Sequence, residues 1–260
     1  MLTHLNRLYD RYNRREFVHP DPVEFLYFYP KREDREVAGL IASSLAYGKV
    51  CQILKSVSLV LEKMDDSPYI YLKHTSGTEI CRQYRHFVHR FATGEHLSTM
   101  LIRLKKIINE FGSVYECFLD GHRPSDETIL PALTRFTDRF THSFGGRTPG
   151  HLIASPLKKS ACKRLHLFLR WMVRHDAVDP GGWDEISPSK LLVPLDIHMF
   201  RICRALGFTS RNQANLSTAM EITEKFKFWV PQDPVRFDFT LTRFGIRGDL
   251  NEADVMDCMN

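Results

Sequence analysis

The stretch Pro194-Leu195-Asp196-Ile197-His198-Met199-Phe200-Arg201-Ile202-Cys203-Arg204-Ala205-Leu206-Gly207-Phe208 reads as one helix with both of its ends written in. Asp196 accepts hydrogen bonds from the first unpaired amides and predicts the N-cap, while Gly207 tolerates the conformation that stops a helix. Upstream, Ala161 to Arg174 predicts a second helix, with Leu165, Phe168, Leu169 and Met172 as a buried stripe. Lys159, Lys163, Arg170 and Arg174 fall on its other turns and make that side cationic.

Further outward the same three-to-four-residue apolar spacing recurs with almost no strict alternation, so the expected class is all-α. Helices are predicted over Leu2 to Arg15, Asp34 to Ala46, Pro68 to Leu72, Ile80 to Phe91, Leu97 to Phe111 and Leu130 to Phe140. Tyr47 and Gly48 interrupt the period before Val50, Leu54, Val57 and Leu61 resume it, and the aromatic segment Phe25 to Tyr29 is closed by Pro30. Gly, Pro and polar clusters mark linkers at Asp120 to Asp126, Ser143 to Pro156 and Asp176 to Pro194.

The 260 residues are 43% hydrophobic and 26% charged, which excludes a disordered or collagen-like chain. Lys+Arg 36 against Asp+Glu 31 gives a formal charge of +5, a balance that permits a polyanionic partner. No apolar run is long enough for a membrane span and the first fifteen residues lack a signal core, so a cytoplasmic protein without membrane contact is expected. The six cysteines are scattered without a CxxC pair, which predicts reduced thiols and neither a bridge nor a metal site.

Lys163 is singled out by its place in a first helical turn. There the helix dipole disfavours an added positive charge and would tend to lower the lysine pKa, as a nucleophilic amine requires. A solvated charge is the plain alternative for Lys163, and a simple cap is the plain alternative for Asp196.

The string Leu195-Asp-Ile-His-Met-Phe-Arg-Ile-Cys-Arg-Ala-Leu-Gly207 resembles the Val-Asp-x-His-Val-x-Arg-x-x-x-Arg-Leu-Gly signature of the helix-hairpin-helix DNA glycosylase superfamily. Taken whole, the chain is most similar to an uncharacterised bacterial family related to the archaeal 8-oxoguanine DNA glycosylases. The resemblance implies a two-lobed helical fold with a cleft between its lobes. It implies that residues 1–35 pack with a C-terminal lobe, 185–260, and that 36–175 form a central lobe. It further implies a nucleophilic Lys163, 33 positions before a catalytic Asp196. The partner implied is double-stranded DNA holding a damaged base, oxidised guanine being the first candidate. A monomer without cofactor is expected.

Two departures matter. The superfamily's Leu-Pro-Gly-x-Gly hairpin is replaced by Ile153-Ala-Ser-Pro-Leu-Lys-Lys-Ser160, so Lys158, Lys159 and Ser160, aided by Arg170 and Arg174, become the expected phosphate contacts. The glutamine usual in the upstream helix is missing, leaving Leu45 or Tyr47 near its place, with core packing as the alternative for both. Leu45, Phe168, Trp171, Trp183 and Trp229 are candidates to stack on a flipped base, which must leave the duplex before its C1′ can be reached. Asp196 would stabilise positive charge on the sugar and take a proton from Lys163, whose attack on C1′ gives a Schiff base and strand cleavage. Two other classes stay open: a nucleic-acid-binding helical protein without catalysis, and a metal-dependent phosphohydrolase built around His175-Asp176.

Overall fold

The computed structural model describes residues 1–141, 148–250 and 255. Ser143 to Arg147 of the second expected linker, and Cys258, lie outside the described residues. The protein is all-α, its described residues adding only one two-stranded hairpin. It divides into two compact units, Met1–His19 with Lys159–Asn260 and Pro20–Lys158. The expected boundaries stood at 35/36 and between 175 and 185. The segment after Pro20 packs instead on the helix that follows it, and the Lys163 helix belongs with the C-terminal elements.

The first unit begins with α1 (Leu2–Tyr12), whose Leu5, Leu8 and Tyr12 recur on one face and are buried. In the second unit Asp21 accepts from the Val23 amide and, with Pro22 in the first turn, starts a 3-10 segment to Phe28. That segment packs on α2 (Arg32–Ser44), which is buried over nearly its whole length after Arg35. Against it stand α3 (Val50–Leu61) and α4 (Pro68–His74), and α5 (Gly77–Tyr84) follows; Ser67 and Ser76 cap α4 and α5.

The segment expected to be helical through Phe91 leaves the helix at Tyr84 and forms a hairpin of β1 (Val88–His89) and β2 (Ala92–Thr93). Two residues per strand are too few to show alternation in sequence, and His89 and Ala92 turn inward together. Next come α6 (Gly94–Phe111), α7 (Val114–Gly121) and α8 (Leu130–Thr141). Glu36, fully buried in α2, accepts from the Val114 and Tyr115 amides at 2.9 and 3.2 Å and lies 3.3 Å from Arg32 Nε. A carboxylate thus serves the unpaired amides at the start of α7 and ties that helix to α2.

The first unit resumes with α9 (Lys163–Val173), α10 (Ile197–Ala205), α11 (Leu216–Trp229) and α12 (Asp238–Ile246). Leu165, Phe168, Leu169 and Met172 of α9 are buried, as their spacing predicts. The loop after α9 folds back on it: the Gly181 and Trp183 amides donate to Trp171 O and Met172 O at 3.0 and 2.9 Å. Helices α10 and α12 approach closely because residue 245 is glycine. A Cβ there would lie 2.3 Å from His198 Nδ1 and 2.9 Å from His198 Cβ.

Candidate active site

The site lies within the first unit, where helix starts gather charged side chains. Lys163 is the first residue of α9, and Asp196 is the N-cap of α10, its Oδ1 accepting from the Met199 amide at 2.8 Å. That bond leaves Oδ2 available, and it lies 4.0 Å from Lys163 Nζ. The two side chains keep 29% and 18% of their surface exposed, so a reactant can reach both. No side chain caps α9, and Cys162 before it holds a left-handed φ of 44°. The chain therefore enters α9 through a strained turn that fixes where Lys163 starts.

One turn and then two turns further along the same face come His166 and Arg170. Arg170 is buried and joins two acids: its Nη2 lies 3.1 Å from Asp179 Oδ1, and its Nη1 donates to Asp238 at the start of α12. Burial pushes the Asp238 carboxyl up to about 6, with Arg170 opposing and the Asp196 charge assisting, so Asp238 senses the exposed pair. Its Oδ1 is buried without a hydrogen-bond partner. His166 is equally enclosed. Neither ring nitrogen has a partner, and burial pushes it down to about 4.

The network continues away from the site. Arg174 bonds Asp179, meets Asp176 at 2.8 Å, and donates from Nε to Asp233 at 3.0 and 3.1 Å. Asp176 also accepts from Tyr9 of α1 and from Asn13 just after it, each at 3.0 Å, and from the Val178 and Asp179 amides, each at 2.8 Å. Against the burial that would raise it, the Arg174 charge and these bonds hold the Asp176 carboxyl down at about 2.

These contacts correct several expectations. Arg170 and Arg174 are not a solvated cationic face. Both are enclosed by carboxylates, some from the loop just after α9 and others, Asp233 and Asp238, from far along the chain, which removes them from the phosphate contacts. Phe168, Trp171 and Trp183 are core, Phe168 meeting Trp183 edge to face at 5.3 Å, so they are not surfaces for a base. Leu45, in the second unit, is fully buried as well. Trp229 is half-buried and packs on Phe208 at 5.2 Å.

Lys158 and Lys159 are exposed and Ser160 is half-buried, its Oγ accepting from the Cys162 amide at 3.2 Å. Tyr47 belongs to the second unit, where its hydroxyl donates to His89 O at 2.8 Å and lies 2.9 Å from His151 Nε2. Asp238 and His166 were missed. For Asp238 a signal existed: an acid opening the apolar run Phe239 to Phe244 has the form of a helix start. His166 offered none, lying inside a helix already read as amphipathic.

The protein is thus an all-α chain in which a partly exposed lysine–aspartate pair at two helix starts is backed by a buried arginine–carboxylate network. It belongs to the DUF2400 family, described as protein of unknown function, whose model matches residues 21–247. No curated protein and no solved structure matches the chain. Among the described residues no helix is long and apolar enough to cross a membrane.

Proposed function

We propose that the protein is a base-excision DNA glycosylase with lyase activity, of the two-lobed helix-hairpin-helix type, acting on duplex DNA with a damaged base. Oxidised guanine is the first substrate to try. The observation that carries the reading is the approach of Lys163 Nζ to Asp196 Oδ2 at 4.0 Å, made by residues far apart in sequence and both open to solvent. The N-terminal helix sharing a unit with the C-terminal segment supports the superfamily's discontinuous arrangement.

The chemistry follows from the pair. Lys163 gives up a proton and its free amine attacks C1′ of the flipped nucleotide, while the N-glycosidic bond breaks and the base leaves with its electron pair. Positive charge accumulates on the sugar as the bond stretches, and Asp196, anchored by its cap bond, stabilises it from a fixed position. The attached amine then yields a proton to O4′ as the C1′–O4′ bond breaks, which opens the sugar ring and leaves the protonated imine between Lys163 and C1′. Abstraction of the C2′ proton then expels the 3′ phosphate and cuts the strand. Arg170, in the last turn of α9, holds that helix to Asp238 at the start of α12, and the charge on Asp238 bears on both members of the pair.

The phosphohydrolase reading has less to stand on. The Asp176 carboxylate is spent on Arg174, Tyr9, Asn13 and two amides, and His175 Nδ1 lies 2.9 Å from Pro180 O. Borohydride reduction in the presence of lesion-containing and abasic oligonucleotides tests the proposal. A covalent protein–DNA species is expected from the native chain and not from Lys163→Gln. Failure to trap with every lesion and with abasic DNA overturns it.

A further inference from the structure

The hairpin of the second unit takes no part in the chemistry above, yet it is built with care. Its inward side chains are His89 and Ala92, both buried. The His89 ring is held at both nitrogens, Nδ1 lying 2.8 Å from Ser56 Oγ and Nε2 3.1 Å from Tyr47 O. With the bond from the Tyr47 hydroxyl to His89 O, the base of the hairpin is locked to the turn after α2. On its outside, beside Thr93, two large apolar side chains stand bare: Val88 is 70% and Phe91 71% exposed. Arg90, at the tip, holds a left-handed φ of 53°, which an L-residue without special cause avoids.

Chain stability gains little from a bare phenylalanine on a strained turn, so the tip points to a ligand. The chemistry around it narrows the class. The Arg90 guanidinium lies 5.6 Å from the Phe91 ring and folds over Gly48, where a Cβ would sit 2.8 Å from its Nη1. Lys49, next to Gly48, is exposed. The Phe91 ring also meets His151 edge to face at 6.4 Å, and His151 meets His96 at 6.0 Å. Glu95 is the acid nearest in sequence. One aromatic face flanked by cations and imidazoles matches a base with its neighbouring phosphates. A membrane or a protein groove would ask for a broader apolar patch.

We propose that the hairpin tip is a nucleic-acid contact in which Phe91 stacks on an unpaired base while Arg90 and Lys49 neutralise the phosphates beside it. The inference rests on the DNA partner proposed above and not on the Lys163 chemistry. It is tested with the full chain by anisotropy of a labelled duplex holding an abasic site. A 2-aminopurine opposite that site reports stacking through its quenching.

Phe91→Ala, at an exposed position, should bind about tenfold to a hundredfold more weakly, lose the quenching and keep the native salt dependence. Arg90→Gly keeps a residue suited to the positive φ, and should lower the slope of log affinity against log salt by about one. Phe228→Ala, which removes an equally bare phenylalanine from α11, should bind and quench as the native chain does. Native-like binding and quenching by both hairpin variants overturns the proposal, as does a native chain that binds no oligonucleotide. Schiff-base trapping unaffected by Phe91→Ala, with unchanged affinity, removes the hairpin and leaves the lysine reading standing. Hairpin-dependent binding without any trapping does the reverse.

Discussion

Asp196 carries two roles that a single substitution separates. Asparagine caps a helix about as well as aspartate, so Asp196→Asn should keep the bond to the Met199 amide and leave the melting temperature nearly unchanged. The charge beside Lys163 is lost, and turnover on a confirmed substrate should fall by about a hundredfold or more. Undiminished excision would reduce Asp196 to a cap. Two buried groups nearby give opposite pH signatures. His166, lowered to about 4, binds fewer protons when folded, so its share of stability is present above 6.5 and lost as pH falls toward 4. Asp238, raised to about 6, binds more protons when folded, so its share is present below 3.8 and lost as pH rises through 6. Each amounts to about 3 kcal/mol at full extent, and in the native chain they offset. Denaturant titrations between pH 4 and 6.5 should show His166→Leu losing stability as pH rises and Asp238→Asn losing it as pH falls. Parallel slopes for the two variants would contradict this.

At the scale of elements, Arg170 fastens α9 to α12 and to the loop after α9. Arg170→Met leaves Asp179 and Asp238 buried without their cation and should cost about 3–5 kcal/mol of unfolding free energy, read from the denaturation midpoint. Gly245→Ala drives a methyl into the His198 ring and should cost about 1–3 kcal/mol by the same measurement, α12 being unable to keep its distance from α10. The helices were legible because a buried stripe at three-to-four spacing is a local property, as Leu165, Phe168, Leu169 and Met172 show. The cap at Asp196 was legible for the same reason. The fate of Arg170 was not. Its charge says face water, and only Asp179 and Asp238, brought in by folding, make burial tolerable. The hairpin was hidden because its inward residues are a histidine and a small alanine, while the large apolar Val88 and Phe91 face outward.

For the whole molecule, the chain's two units make unequal demands. Pro20–Lys158 is continuous and should fold alone, with a cooperative thermal transition. Lys159–Asn260 lacks α1, and with it the Tyr9 and Asn13 partners of Asp176 and the apolar stripe of Leu5, Leu8 and Tyr12. That fragment should melt without cooperativity until a peptide of residues 1–19 is added. A cooperative transition in the fragment alone would show that α1 is dispensable. The unit boundaries were hard to read because the discontinuity is a matter of which distant segment α1 meets, and composition holds no record of it.

The same discontinuity orders events at the ribosome. α1 leaves the exit tunnel ahead of residues 20–158, an amphipathic helix whose lasting neighbours in Lys159–Asn260 are not yet translated. Residues 20–158 emerge next and can fold while it waits, over some ten seconds or more at ordinary elongation rates. Lys163 and Asp196 come together only after α10 has followed α9 out, and Asp238 arrives later still. A nascent or prematurely terminated chain therefore carries an unmatched lysine and no charge-paired nucleophile. The proposed chemistry is withheld until α10 has been made and has brought Asp196 to Lys163.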